Sequence, residues 1–315
     1  MRKQMMLSFL AGVVIPLAMA AFLQEKNHPA PKAAETALTQ PAAEPVMLTV
    51  LDRAGENRTM ALEEYLVGVV LAEMPADFEE EALKAQAVVA RTYTRKRMER
   101  DKHGAAALCM DSGCCQGWRS PEEYGEKTVE KVRRAVSGTA GMVLRYGDEL
   151  IDATYFSCSG GSTEDAVAVW GQDVPYLRAV DSPGEEAAPR YSDTVTFTAA
   201  EFAKKLGLTN SGDPKGWFGA VAYTEGGGVA TMVIRGETFT GTALRSKLGL
   251  RSTAFTVAVS GGTITITTRG FGHRVGMSQY GAQAMAKEGC TFEEILLHYY
   301  TGTRLVQEDM YADFQ

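Results

Sequence analysis

The sequence lacks an excess of basic residues and contains few histidines. Its 32 Lys and Arg residues are outnumbered by 39 Asp and Glu residues, and the formal net charge is −7. Proteins that bind nucleic acid usually carry a basic surface, so this balance argues against nucleic acid as a partner. With four histidines and no G-x-S-x-G elbow, the sequence contains no evident Ser-His-Asp triad.

The cysteines are odd in number, which fits poorly with a complete disulfide framework. Three of the five lie together at Cys109, Cys114 and Cys115, and Cys158 and Cys290 lie farther along the chain. The first three, with Cys158, could supply the thiolates of a tetrahedral zinc site, although their spacing is not a standard C-x-x-C pair. A disulfide between two of them and ordinary buried thiols are the alternatives. Cys290 is predicted to be a packing residue.

The N-terminus has the features of a membrane signal. Arg2 and Lys3 precede an uncharged, mostly apolar run from Met5 to Leu23. At about 1.5 Å per residue, this run just spans a bilayer core of about 30 Å. Residues 1–23 are therefore predicted to be a single-pass signal anchor, with the rest of the chain extracytoplasmic. Cleavage after Ala18-Met19-Ala20, which resembles a signal-peptidase site, is the alternative.

Composition separates a linker from a folded body. Residues 24–46 are rich in Ala, Pro and Glu and are predicted to be a tether. Residues 47–315 are predicted to form one α+β catalytic domain, with mixed helices and antiparallel strands around a substrate cleft, and residues from about 182 to 262 a smaller inserted lobe. Strands are predicted at 47–52, 142–146, 150–157, 254–259 and 263–268, with a helix near 199–206 and a hairpin near 229–240.

Glu73 occupies a position where a structural role alone would favour an apolar residue. Apolar side chains recur at helical spacing on one face, at Leu62, Tyr65, Leu66, Val69 and Val70, and position 73 is the next step on that face. Pro75 disfavours helical geometry at Met74 and so predicts a helix end beside Glu73. A carboxyl group among apolar neighbours at the negative end of a helix dipole is expected to have a raised pKa, as a general acid requires.

Two further helices are predicted from capping signals. Asp77, with Glu80 three residues later, predicts the start of a second helix that runs through Tyr93 or beyond. Thr291 and Glu294 form a second capping-box pattern, and Gly302 is predicted to close that helix. In the second helix, the candidates for contact with a polar substrate are Gln86, Arg91 and Tyr93.

Two polar, glycine-rich segments complete the candidate site. One is YFSCSGGSTED at 155–165, and the other is GFGHRVGMSQYGA at 270–282. The second is one residue longer than a dinucleotide fingerprint and lacks the following strand of a βαβ unit, so its glycines are expected to let the backbone approach a ligand closely. The substrate-contact candidates in these segments are Tyr155, Ser157, Ser159, His273, Met277, Ser278, Gln279 and Tyr280.

Three segments, taken in order, resemble the SpoIID/LytB family. They are EYLVGVVLAEMPADFEEEALKAQAVVARTY at 64–93, YFSCSGGSTED with VPYLRAVDSP at 174–183, and GFGHRVGMSQYGAQAMA at 270–286. The resemblance covers residues from about 47 to 307. It implies a peptidoglycan lytic transglycosylase, which cleaves MurNAc–GlcNAc bonds in peptide-stripped glycan strands and leaves 1,6-anhydro-MurNAc ends. The family's catalytic glutamate lies in its AEMP motif, which corresponds to Glu73.

The resemblance also implies partners, location and a metal. Family members act with a SpoIIP-like amidase and a SpoIIM-like membrane protein in septal wall remodelling and engulfment, at the mother-cell membrane facing the septal space. Catalysis requires no cofactor, but some relatives carry zinc near the loop that matches 109–115. This chain has Cys114 and Cys115 where a His-Cys pair is expected, and Arg274 where glycine is usual, which is expected to be tolerated. A zinc-dependent cell-wall hydrolase and a non-catalytic peptidoglycan scaffold are the alternatives.

Overall fold

The computed structural model describes residues 45–100 and 102–308. The predicted anchor at 1–23 and nearly all of the predicted linker at 24–46 lie outside these residues. Within the described ranges, no helix has the length and apolar character needed to cross a membrane. Helices and strands are mixed along the chain, which confirms the α+β class.

The helices lie close to where capping and periodicity place them. The described part of the chain contains α1 (Leu62–Glu73), α2 (Glu80–Met98), α3 (Glu126–Ser137), α4 (Ala166–Trp170), α5 (Ala199–Leu206), α6 (Gly241–Leu248), α7 (Gln279–Lys287) and α8 (Phe292–Tyr299). The predicted end of α1 at Glu73 is confirmed, since Met74 adopts an extended conformation before Pro75. The capping box of α8 is also present, but this helix ends at Tyr299, before Gly302.

The strands are short and form several small sheets. They are β1 (Met47–Leu51), β2 (Asn57–Ala61), β3 (Leu108–Cys109), β4 (Met142–Tyr146), β5 (Glu149–Leu150), β6 (Tyr155–Phe156), β7 (Gly161–Ser162), β8 (Asp181–Ser182), β9 (Ser192–Thr198), β10 (Phe218–Tyr223), β11 (Val229–Ile234), β12 (Glu237–Thr240), β13 (Phe255–Ser260), β14 (Thr263–Arg269), β15 (Met277–Ser278) and β16 (Arg304–Gln307). The sheets have the orders β2-β1-β3, β16-β4-β5, β10-β11-β12 and β13-β14-β9, with the two-stranded pairs β15-β6 and β7-β8. Most neighbours are antiparallel, as predicted, but β1–β3 and β15–β6 are parallel. The single strand predicted at 150–157 is instead two short strands, β5 and β6.

The beginning of α2 differs from the prediction. Asp77 does not cap this helix, which begins at Glu80 with Glu79 as the N-cap and no side-chain cap. The Glu79 amide instead donates to Oε1 of Gln283 at 2.7 Å. A side chain from α7, distant in sequence, thus satisfies an amide that local capping was expected to satisfy.

The main hydrophobic cluster surrounds α1 and α2. Helix α1 is buried on most of its circumference rather than on one face, because α2 and α3 both pack against it. A second hydrophobic cluster has its members between Val195 and Ile266, with Phe202, Trp217 and Ile234 among its buried residues. Both clusters belong to one compact unit of the chain. The boundary of the inserted lobe at 182–262 stays a prediction.

Candidate active site

Glu73 lies at the C-terminal end of α1, in the wall of a cavity of about 310 Å³. The cavity is built from α1, α2, the loop before Gly117, and the two glycine-rich segments. Its lining residues are Glu73, Tyr93, Ser112, Cys115, Thr154, Tyr155, Phe156, Ser157, Phe271, Gly272 and His273.

The Glu73 carboxyl group has two protein hydrogen-bond donors. The Gly117 amide donates to Glu73 Oε1 at 2.8 Å, and the Tyr155 hydroxyl hydrogen-bonds the same carboxyl group. A Cβ on Gly117 would lie 2.8 Å from Oε1, so only glycine allows this approach without displacement of the carboxyl group. Burial raises the pKa of Glu73 above its ordinary value, and the two hydrogen bonds oppose that rise. The predicted direction of the pKa shift is confirmed.

Gln116 determines the direction of the Tyr155 hydrogen bond. Its Oε1 accepts from the Thr94 hydroxyl at 2.8 Å, and its Nε2 donates to the Tyr155 oxygen at 3.3 Å. An amide nitrogen can only donate, so the Tyr155 oxygen accepts there and its own proton is directed to Glu73. Burial, and then the charge of Glu73, keep the pKa of Tyr155 well above its ordinary value, so it stays a donor.

The parallel pair β6–β15 joins the two glycine-rich segments. Tyr155 is in register with Met277, and Phe156 with Ser278. The glycines of the second segment were expected to make room for a ligand. The structure corrects this prediction, because a Cβ on Gly270 would lie 2.5 Å from the Ser159 carbonyl oxygen, and one on Gly276 would lie 2.1 Å from that of Thr154. These glycines therefore allow the two segments to pack against each other.

His273 is a neutral donor at the cavity wall. Its ring lies beside those of Phe156 and Trp170, with centroid distances of 5.6 and 5.4 Å. Burial and then the charge of Arg245 lower the pKa of His273 to about 4. Its Nδ1 accepts from the Val275 amide at 3.1 Å, so in the neutral ring Nε2 carries the proton. His273 can thus donate one hydrogen bond to a bound hydroxyl or carbonyl group.

The structure brings some predicted substrate-contact residues to the cavity and places others elsewhere. Tyr93, Tyr155, Ser157 and His273 line it. The prediction for Arg91 is wrong, because its buried guanidinium binds Glu63 through two nitrogens at 2.7–2.8 Å and anchors the helices of the main cluster.

The other predicted contacts lie outside the cavity lining. Gln279 donates to the buried Gln86 at 3.4 Å, and Tyr280 packs edge-on against Phe78. Ser278 caps α7 through the Gly281 amide. Five of the predicted residues are buried and do not line the cavity: Gln86, Ser159, Met277, Ser278 and Gln279.

Glu185, a buried residue that holds the first glycine-rich segment, was not predicted from the sequence. This buried carboxylate accepts from the Cys158 thiol at 2.9 Å, the Ser159 amide at 2.6 Å and the Ser182 hydroxyl at 2.5 Å. Cys158 therefore belongs to this network and not to a thiolate metal cluster, which corrects that part of the zinc prediction. No local pattern marks Glu185, since two of these partners, Cys158 and Ser159, lie 27 and 26 residues earlier in the chain.

A four-residue donor cluster lies next to the cavity. The ligand atoms of His103, Cys109, Cys114 and Cys115 all lie within 4.8 Å of one another. His103 takes the place that the prediction gave to Cys158. The thiols are free rather than disulfide-bonded at all four of these cysteines: Cys109, Cys114, Cys115 and Cys158. Cys115 also lines the Glu73 cavity, and Gly117, two residues later, donates to the Glu73 carboxyl group, so one loop contacts both the donor cluster and Glu73.

The fold and site together define a class of protein: an α+β protein whose cavity contains one buried carboxyl group with a raised pKa. Comparisons with known proteins identify the class more closely. A family model described as stage II sporulation protein, SpoIID, matches residues 52–146. Stage II sporulation protein D of Bacillus subtilis (strain 168) is 44% identical over 298 residues, covering 91% of this chain and 85% of that protein.

Two further relatives support the same assignment. Stage II sporulation protein D of Bacillus amyloliquefaciens is 42% identical over 294 residues, covering 89% of this chain and 83% of that protein. The amidase enhancer of Bacillus subtilis (strain 168) is 30% identical over 299 residues, covering 76% of this chain but 40% of that longer protein. The chain belongs to the SpoIID family of sporulation proteins.

Proposed function

We propose that the protein is a lytic transglycosylase that cleaves MurNAc–GlcNAc bonds of peptide-stripped glycan strands. The observation that carries this proposal is the single carboxyl group of the cavity. Among the described lining residues, Glu73 is the one Asp or Glu, and burial raises its pKa. Glycoside hydrolysis ordinarily requires two carboxyl groups on either side of the bond, whereas an internal nucleophile of the substrate requires one.

The proposed reaction uses Glu73 twice. Protonated Glu73 gives its proton to the glycosidic oxygen of GlcNAc as the bond from that oxygen to MurNAc C1 breaks. The carboxylate so formed keeps the hydrogen bonds from Gly117 and Tyr155. It then takes the proton of the MurNAc C6 hydroxyl as O6 bonds to C1, which gives the 1,6-anhydro ring and restores Glu73. The nucleophile belongs to the bound strand and therefore has a high effective concentration.

The other cavity residues support binding of a sugar strand. Neutral His273 offers its Nε2 proton to a hydroxyl or N-acetyl oxygen, and Ser157 offers a hydroxyl group. The rings of Tyr93 and Phe271 provide apolar surface for pyranose rings.

The test is digestion of purified, peptide-free glycan by the full chain, with the ends identified by mass spectrometry. We expect 1,6-anhydro-MurNAc ends, and a loss of at least about 100-fold in Glu73→Gln, because general acid–base catalysis contributes that much or more. Glu64→Gln is the matched control, since Glu64 is exposed on the same helix. Reducing MurNAc ends would indicate a hydrolase, and full cleavage by Glu73→Gln would exclude the proposed role.

We also propose the cellular setting. Membership of a sporulation family supports a role in septal wall remodelling and engulfment, with residues 1–23 as the membrane anchor and the catalytic domain outside the cytoplasm. An amidase must remove stem peptides before this enzyme acts, and one relative is named amidase enhancer. A SpoIIP-like amidase and a SpoIIM-like membrane protein are the proposed partners.

The four-residue donor cluster fits a structural zinc ion. Tetrahedral zinc with bonds of about 2.3 Å separates its ligand atoms by roughly 3.8 Å. His103 Nε2 lies 3.2 Å from Cys115 Sγ and 3.8 Å from Cys114 Sγ, and the two sulfurs lie 3.9 Å apart. One imidazole and three thiolates would complete the coordination, so no position remains for a reactive water. Zinc here would fix the loop that holds Gly117 at Glu73.

Zinc binding is tested by metal analysis and thermal unfolding. We expect one zinc ion per chain, and a lower Tm after treatment with a chelator, because binding energy of a structural zinc ion contributes to folding. Cys109→Ser should lose the metal, whereas Cys290→Ser, which changes a free cysteine outside the cluster, should retain it. A metal-free protein with the same Tm in chelator would contradict the proposal.

A further inference from the structure

Two arginines pack against one residue of the Glu73 cavity wall. The guanidinium of Arg190 lies over the Phe271 ring, 5.1 Å from its centroid, and that of Arg251 lies 5.7 Å from the same centroid. Phe271 itself lines the cavity. This local positive charge contrasts with the net charge of −7 on the whole chain.

Arg245 belongs to the same region. It lies on α6, and the chain after this helix is held to the cavity wall by the Gly272 amide, which donates to the Arg251 carbonyl oxygen at 3.1 Å. The charge of Arg245 is close enough to His273 to contribute to its low pKa. Burial lowers the pKa of Arg245 itself, which indicates that the guanidinium is partly removed from water.

Two of these three arginines have no carboxylate partner. Arg251 pairs with Asp193 at 3.1 Å. Within residues 45–100 and 102–308, no Asp or Glu oxygen lies in salt-bridge range of Arg190 or Arg245. Arg190 is exposed and is free to bind an anion, whereas Arg245 is half-buried. A partly desolvated cation without a counter-ion is unfavourable, so a bound anion would reduce that cost at Arg245.

We propose that Arg190 and Arg245 recognise the free lactyl carboxylate of a peptide-stripped MurNAc residue, an inference that rests on the proposed function. While the stem peptide is attached, this carboxyl group is in an amide bond and carries no charge. Hydrolysis of that amide by an amidase creates the anion. Guanidinium–carboxylate pairs are charge-assisted and often bidentate, so they distinguish the two states of the strand strongly.

This recognition gives the cavity a selectivity that Glu73 cannot provide. The acid acts at the glycosidic bond, which is the same in strands with and without peptides. The arginines act at the lactyl group, where the two strands differ in charge. Cleavage would therefore follow peptide removal because the binding site requires the product of the amidase reaction.

The test measures binding to the full chain carrying Glu73→Gln, so that no ligand is cleaved. Three ligands of equal sugar number are compared: peptide-free glycan, peptide-bearing glycan and a chito-oligosaccharide, which has no lactyl group. Because hydrogen bonds to charged groups are strong, we expect peptide-free glycan to bind at least about tenfold more tightly than the other two. Arg190→Gln with Arg245→Gln should abolish that preference and leave binding of the chito-oligosaccharide unchanged.

Arg235→Gln is the matched control. Its guanidinium also lies 5.1 Å from an aromatic centroid, that of Trp217, but in the second hydrophobic cluster. This variant should keep the full preference. If the glutamine variant is unstable, a double Lys variant at positions 190 and 245 replaces it in the test. This variant retains the charge without the planar guanidinium group and should keep part of the preference.

A preference that persists in the glutamine double variant, or an equal loss of affinity for all three ligands, would overturn the proposal. Formation of anhydro-MurNAc ends is measured separately with Glu73 intact. Preferential binding without such ends would refute the proposed lytic reaction and leave the recognition standing. Such ends formed without any binding preference would refute the recognition alone.

Discussion

At the scale of single residues, Glu73 is held between two opposing influences. Burial favours its protonated form, and the hydrogen bonds from Gly117 and Tyr155 favour the carboxylate. A group that must first give and then take a proton benefits from both, because neither state becomes too stable. Sequence periodicity was sufficient to identify Glu73 and the direction of its pKa shift, but it gave no indication of either donor.

Tyr155→Phe tests this balance. Removal of the hydroxyl group deletes an interaction that lowers the pKa of Glu73, so that pKa should rise further. Because the protonated acid is the active form, activity falls as pH rises through this pKa. The basic limb of the pH–rate profile should therefore move to higher pH, while the maximal rate falls.

The matched control for this experiment is Tyr223→Phe. Tyr223 is 62% exposed and does not line the Glu73 cavity. Its profile should coincide with that of the unaltered protein. A basic limb that stays in place in Tyr155→Phe would show that Tyr155 does not act on the titration of Glu73.

At the scale of elements, one face of α7 packs against a buried polar network. A Cβ on Gly281 would lie 2.1 Å from the Tyr299 hydroxyl and 2.2 Å from the Ser182 hydroxyl. Those two hydroxyl groups are hydrogen-bonded at 2.6 Å, and Ser182 continues to Glu185. The glycine in the SQYGA segment thus permits close contact between a helix and a buried carboxylate network.

Gly281→Ala should destabilise the protein although alanine favours helices. The gain in helix propensity is about 1 kcal/mol, and forced displacement of a packed, buried network typically costs about 1–3 kcal/mol. Urea unfolding should therefore show a lower free energy of unfolding, or at best no gain. Gly216→Ala is the control, since a Cβ there meets nothing within 4 Å. A clear stabilisation by Gly281→Ala would contradict the close packing.

At the scale of the whole molecule, Arg274 joins the glycine-rich segments to the region of the second hydrophobic cluster. Its φ of +67° is in the left-handed region, which glycine adopts without steric cost, and this agrees with the glycine that the family resemblance implies here. The buried guanidinium pairs with Glu164 at 3.0 Å and also donates to carbonyl oxygens of Ser159 and Gly226. The expectation that arginine is tolerated here is thus given a physical reason.

Arg274→Gly removes the strain of a left-handed backbone conformation but leaves the buried Glu164 carboxylate without its cation. Removal of this strain stabilises the folded state by about 1–2 kcal/mol, whereas loss of a buried ion-pair partner destabilises it by about 3–5 kcal/mol. A lower Tm is therefore expected. Arg235→Gly is the control, because Arg235 also has positive φ but bonds Ser211 at the surface. An unchanged Tm in Arg274→Gly would show that the ion pair contributes no net stability.

The sequence by itself determined the features that depend on neighbouring residues. Helical spacing and Pro75 place Glu73 at a helix end, and the strands at 142–146 and 263–268 follow from local pattern. Only the tertiary structure decided which distant groups meet there. It brought Gly117 to Glu73, put His103 in place of Cys158 among the thiols, and placed Arg190 over the Phe271 ring. The physical reason is that these contacts arise from packing of segments far apart in the chain, and a linear pattern records spacing but not which segments pack together.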